Sequence, residues 1–137
     1  MLPITTIENI LNNIKKINVV SSAMKNYINS LNKDEYASLA TVFIIGRSRW
    51  ERNYCDTSEY YSFIEKNEAN GIQVTQEMLD NHFLSKDIKR NQIETTYYYE
   101  MLSSSKVNGV YNHDWLGMKT NLITEVEKGL NMLREIE

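Results

Sequence analysis

The sequence predicts an all-α protein, a compact bundle of about five or six helices in one domain over 1–137, with at most a minor two-stranded β element near 72–74 and 107–111. Three observations carry that expectation. Apolar residues recur at intervals of three and four, cap-forming side chains stand at the starts of those runs, and the chain holds 5 glycines and a single proline, Pro3.

Ile4, Ile7, Ile10, Leu11, Ile14 and Ile17 fall on one helical stripe. A first helix is expected from about Thr6 to Val20, opened by a Thr5–Glu8 capping box, with Pro3 just outside where its missing N–H does no harm. Met24, Tyr27, Ile28 and Leu31 repeat the spacing, so a second helical stretch or a continuation follows. The best-marked helix comes next, over Lys33–Ile45. Asn32 can accept from the amide of Glu35, Glu35 can reach back to the amide of Asn32, and Gly46 can take the left-handed conformation that stops a helix. Tyr36, Leu39, Ala40, Val42, Phe43 and Ile44 cover more than one face of it, which predicts the most buried element of the chain.

Asp56 followed by Glu59 reads as another N-cap pair, opening a short helix that ends near Asn70-Gly71. Thr75 is the next expected cap. From Gln76 to Ser104 there is no Gly or Pro, which permits one long helix or two broken near Ser85. Asn108-Gly109 suits a two-residue turn between short extended pieces, and a plain loop is the alternative. Met118, Leu122, Ile123, Val126, Leu130 and Leu133 form a last stripe from about Met118 to Glu135, in which Gly129 should weaken the helix by up to about 1 kcal/mol relative to alanine.

Composition narrows the function classes. With 42% hydrophobic and 24% charged residues over 137 positions, neither disorder nor a fibrous repeat fits. The net charge is -3, with 8 basic and 8 acidic residues up to Asn70 and 7 against 10 after it, so no charged tail favours non-specific nucleic-acid binding. The longest apolar run, Val42–Ile45, falls far short of the roughly 20 residues that cross a bilayer. One cysteine, Cys55, makes no internal disulfide, and no segment has the order of a secretory signal, so a cytoplasmic protein is expected. Abundant Asn, Ile, Lys and Tyr fit an AT-rich genome and say nothing of mechanism.

The stretch from Leu31 to Arg47, with its Leu-Asn-x-Asp-Glu start, apolar middle and Gly-Arg finish, resembles a family of small bacterial proteins known as domain of unknown function 3775. Leu116-Gly117-Met118, Leu122 and Glu127-Lys128-Gly129-Leu130 are similar to that family's Leu-Gly, Leu and Glu-Glu-Gly-Leu pattern. The resemblance implies an all-helical fold and brings no catalytic residue and no activity.

Arg47, Arg49, Trp50, Arg52 and Tyr54 set three guanidinium groups beside two flat rings directly after a helix end. Arginine forks suit phosphate oxygens and a ring can stack on a base, which points to a nucleotide or single-stranded nucleic acid. The structural alternative has Arg47 on the carbonyls of the preceding helix, Trp50 folded back as core, and Arg49 and Arg52 paired with Glu51, Asp56 or Glu59. Tyr97, Tyr98 and Tyr99 cannot all face one side of a helix, because successive residues turn by about 100°, so they are candidates for an interface with another protein or a second copy.

His82 and His113 lack partners at metal-ligand spacing, so no metal site and no cofactor is expected. An enzymatic reading through His113, Asp114 and Cys55 ranks last: no histidine adjoins Cys55 as its base, and His113-Asp114 also reads as a turn anchored by Trp115. The leading expectation is a small helical protein, more an interaction module than an enzyme, that binds another protein as adaptor, regulator or inhibitor. Its size and composition also fit a phage or mobile element, though no residue marks such an origin. Nucleotide or nucleic-acid binding through Arg47–Tyr54 is the alternative.

Overall fold

Seven helices and one hairpin form from these stripes in the computed structural model, which describes residues 1–111 and 115–137. In chain order they are α1 (Ile4–Ile14), α2 (Ser22–Ser30), α3 (Lys33–Ser48), α4 (Ser58–Ala69), α5 (Gln76–Phe83), α6 (Lys86–Ser103), β1 (Lys106–Val107), β2 (Val110–Tyr111) and α7 (Leu122–Glu135). The protein is all-α with a minor β element. No described helix is long and apolar enough to cross a membrane.

Several helix ends follow the expected chemistry. The Asn32–Glu35 capping box is present in both directions, at 2.9 and 3.0 Å. Ser21, Thr57, Thr75 and Ser85 each accept from the backbone N–H three residues on, which relieves one otherwise unpaired donor per helix start. The Ser85 cap divides 76–104 into two helices. Asn108 and Gly109 both take positive φ, 55° and 78°, as a two-residue hairpin turn demands. Residues 72–74 form no strand; Val74 instead packs against the α4–α5 pair.

Other ends differ from expectation, each for a visible reason. The first helix starts at Ile4, with Pro3 itself as cap and no Thr5–Glu8 box, because Glu8 accepts from Arg134 of α7 at 2.7 Å. It stops at Ile14 rather than Val20: the chain turns at Val20 (φ 55°), and Ser21 opens α2 so that Met24 and Ile28 reach the core. Thr57, not Asp56, caps α4, while Asp56 accepts from the Tyr61 hydroxyl at 2.6 Å. The last helix begins at Leu122, and Met118, 51% exposed, lies off its buried stripe.

The largest departure concerns glycine. Gly46 does not stop α3; it is buried inside the helix, which runs on to Ser48. A Cβ on Gly46 would overlap the Glu125 carbonyl and lie 2.8 Å from the Gly129 nitrogen, and a Cβ on Gly129 would overlap the Val42 carbonyl. The two helices therefore touch backbone to backbone, each glycine making room for the other chain segment. Around this crossing α3 packs chiefly on α7 and α6, with α1 closing the far side.

Ile7 and Ile14, Leu39 and Phe43, and Val126 and Leu130 fill the main core. The hairpin docks through Tyr111, whose ring stacks on Tyr36 at 4.1 Å and whose hydroxyl donates to the Leu31 carbonyl at 2.6 Å. A second, smaller core belongs to α4, α5 and the segment before them. Tyr54, Leu79 and Leu84 are buried there among Tyr60, Phe63 and Phe83. Trp50 packs against both cores.

Gly129→Ala tests the crossing. In an open helix it would stabilise by up to about 1 kcal/mol; here it should destabilise by about 1–3 kcal/mol or more, since the added methyl meets Val42 backbone and would sit 2.7 Å from Val42 Cγ1. The denaturation midpoint in urea reads the sign directly, and a midpoint at or above wild type contradicts the close crossing.

Candidate functional site

The chain leaves α3 at Arg49 in an unusual backbone conformation, φ 65° and ψ -175°, which non-glycine residues rarely adopt and which costs of order 1–3 kcal/mol. From there to Cys55 it crosses from the main core to the smaller one, pinned on both sides. The Glu51 amide donates to Gln92 Oε1 of α6 at 2.8 Å, and Gln92 Nε2 donates back to the Glu51 carbonyl at 3.0 Å. One residue on, the Arg52 fork closes on Asp80 of α5, Nε to Oδ1 at 2.9 Å and Nη2 to Oδ2 at 3.0 Å.

Asp80 is the hub of that second clamp. Its Oδ1 also accepts from the Tyr54 hydroxyl at 2.6 Å and from Gln76 Nε2 at 3.0 Å, while Gln76 donates to the Tyr54 oxygen at 2.7 Å. The Arg52 guanidinium, and then Tyr54 and Gln76, hold the Asp80 carboxyl down at about 2 against partial burial. Burial, reinforced by the neighbouring Asp80 charge, pushes the Tyr54 phenol up to about 12. Both groups thus keep one ionisation state across the neutral range.

The five residues of the basic, aromatic segment therefore part company. Tyr54 is buried and structural in its contacts, and Arg47 lies apart, its guanidinium 5.2 Å over the Phe43 ring. Arg52 pairs with Asp80 rather than with Glu51, Asp56 or Glu59. Arg49, Trp50 and Arg52 do converge. They line one cleft of about 290 Å³ with Lys89 of α6, Asp80 and Leu84 of the smaller core, and Met132 and Glu135 of α7. Lys89 Nζ stands 5.8 Å from the centre of the Trp50 ring, and Arg49 Nη1 lies 3.6 Å from Met132 Sδ. Lys89, Asp80, Met132 and Glu135 were invisible as partners in the sequence, where they lie 26 to 81 residues beyond the end of the segment at Tyr54 and carry no motif.

On the opposite flank of Arg49 a second groove, about 420 Å³, runs between the end of α3 and α6 past Ile44, Ser48, Ile88 and Thr95. Tyr97 is half-buried and donates to Asp34 Oδ1 at 3.2 Å, whereas Tyr98 and Tyr99 project outward, their rings 6.0 Å apart. Cys55 is exposed. His82 is exposed and stacks on Phe63 at 4.5 Å, at the edge of the smaller core. His113 and Asp114 lie outside the described residues.

The Asp80 clamp has a pH signature. Because its folded-state pKa is depressed, the stability it contributes is fully present above about pH 4 and is lost as pH falls through about 2. With both side chains partly exposed, Asp80→Asn should lose about 1 kcal/mol at pH 7. Thermal melts of the two proteins should differ at pH 7 and converge near pH 2; a gap that persists unchanged at pH 2 contradicts the clamp.

No family model, no curated protein and no solved structure matches this chain.

Proposed function

We propose that the chain acts in the cytosol by binding protein through the outward face of α6, with a second copy of itself as the first partner. The observation that supports this reading is the row of large side chains left in water there: Tyr98, Tyr99 and Leu102 are 61%, 63% and 65% exposed, with Ile88 also exposed at the other end of the helix. Tyrosine offers rigid area with a polar tip, the kind of residue enriched where proteins meet.

The same face is self-complementary. Ile88, Asn91, Gln92, Thr95, Tyr98, Tyr99 and Leu102 share one arc of the helix at about 100° per residue. An antiparallel copy crossing at Thr95 sets Ile88 against Leu102 and Asn91 against Tyr99, so apolar meets apolar and amide meets phenol. A two-fold interface demands that reciprocity. A single helix face makes a small interface, and the association is accordingly weak and concentration-dependent.

The resemblance to domain of unknown function 3775 is carried into this proposal as shared packing alone. Its two stretches include α3 and the first half of α7, and the glycines within them, Gly46 and Gly129, are the pair that meet at the crossing. No activity comes with it.

Light scattering across a dilution series checks the docking face. The wild-type mass should rise from about 16 kDa toward twice that value as concentration approaches about 1 mM, and Leu102→Glu should hold it at the monomer with an unchanged circular-dichroism spectrum. A wild-type chain that stays monomeric throughout overturns self-docking.

A further inference from the structure

We propose that the cleft formed by Arg49, Trp50, Arg52 and Lys89 binds the phosphoryl group of a small phosphate monoester. The inference stands apart from the α6 docking face and draws on none of its residues: Lys89 belongs to the same helix but lies on the other side of it from Tyr98 and Leu102.

The cations of the cleft differ in how far their charge is already used. Arg52 and Asp80 cancel, but two of the five guanidinium N–H groups make that pair, which leaves three donors on a head group held in place by Asp80, itself fixed by Tyr54 and Gln76. Arg49 has no carboxylate within ion-pair distance among the described residues, and neither has Lys89. Arg49's hydrogen-bond partner is the Met132 thioether, a weak acceptor, at 3.6 Å. Set against Glu135 on the same wall, Arg49 and Lys89 leave one uncompensated positive charge facing the cleft.

The backbone supplies the independent observation. At φ 65° and ψ -175° glycine would hold this turn without strain, and an arginine there keeps a strained backbone in exchange for a side chain whose described contacts do little to stabilise the fold. Strain of that kind at the wall of a cleft points to a ligand for the side chain. Forked guanidinium donors together with an ammonium match a tetrahedral dianion better than a planar carboxylate, which one arginine satisfies. The volume, about 290 Å³, lies at the low end for ligand pockets and suits a phosphoryl group with a short carrier rather than an extended strand.

Calorimetric titration of the full chain tests this with four probes: inorganic phosphate, glycerol 3-phosphate, glycerol, and a single-stranded oligonucleotide. Phosphate and the monoester should bind, glycerol should not, and affinity should weaken with added salt. Arg49→Gly and Lys89→Ala should each weaken binding by about tenfold or more, while Glu135→Gln, which removes the opposing charge, should tighten it severalfold. Arg49→Gly should also melt above wild type, which separates lost binding from lost folding. No binding of phosphate or monoester up to about 10 mM, unchanged affinity in Arg49→Gly and Lys89→Ala, or binding of the oligonucleotide alone overturns the proposal.

Discussion

The backbone contact between α3 and α7 governs the rest of the molecule. Two helices that meet through side chains stand about 8–10 Å apart, and here Gly46 and Gly129 each remove the Cβ that would keep them there. Close approach brings Val42 against α7 and lets Val126 and Leu130 fill the space beside Phe43 and Leu39. It also explains why α3 is buried on nearly all sides: α7 covers one side, α6 another, and α1 fits the remaining gap. Helices α4 and α5 are left outside this arrangement and build their own small core around Tyr54.

The crossing has a consequence at the end of α3. A glycine required inside a helix for packing cannot also leave it in the left-handed conformation, so α3 continues past Gly46 and Arg49 makes the turn instead. That extra reach carries Arg49 to α7, where it meets Met132, and delivers Trp50 to the seam between the two cores. Gln92 and Asp80 then clamp the next two residues from opposite sides. A packing need at one position thus sets the geometry of the cleft several residues away.

Local chemistry was legible in the sequence, and long-range chemistry was not. The Asn32–Glu35 box, the Thr75 cap and the Asn108-Gly109 turn depend on residues three or fewer apart, and their partners are written beside them. The isoleucine stripe of α1 and the leucine stripe of α7 were readable because burial imposes a helical period. Gly46 misled because glycine serves equally as a helix terminator and as a contact point, and only the neighbour in space decides between them. Glu8 failed as a cap for the same reason, its carboxylate being taken by Arg134 from the other end of the chain. Within the basic segment the residue types were visible, but which charges remain unspent depends on Asp80 and Glu135, and no spacing announces either.

A run of arginines therefore carries less information than the carboxylates that meet it in space. Arg52 is the most firmly placed of the three and the least able to draw an anion alone, because Asp80 has already neutralised it. Arg47 spends its charge near a ring and near half-buried Glu100, whose carboxyl burial pushes upward while Arg47 draws it back. Arg49 is the one whose backbone is strained and whose charge has no described counter-ion. Fixed geometry from one arginine and unspent charge from its neighbour are complementary properties: the first orients a ligand, the second attracts it, and the fold places both beside the same indole.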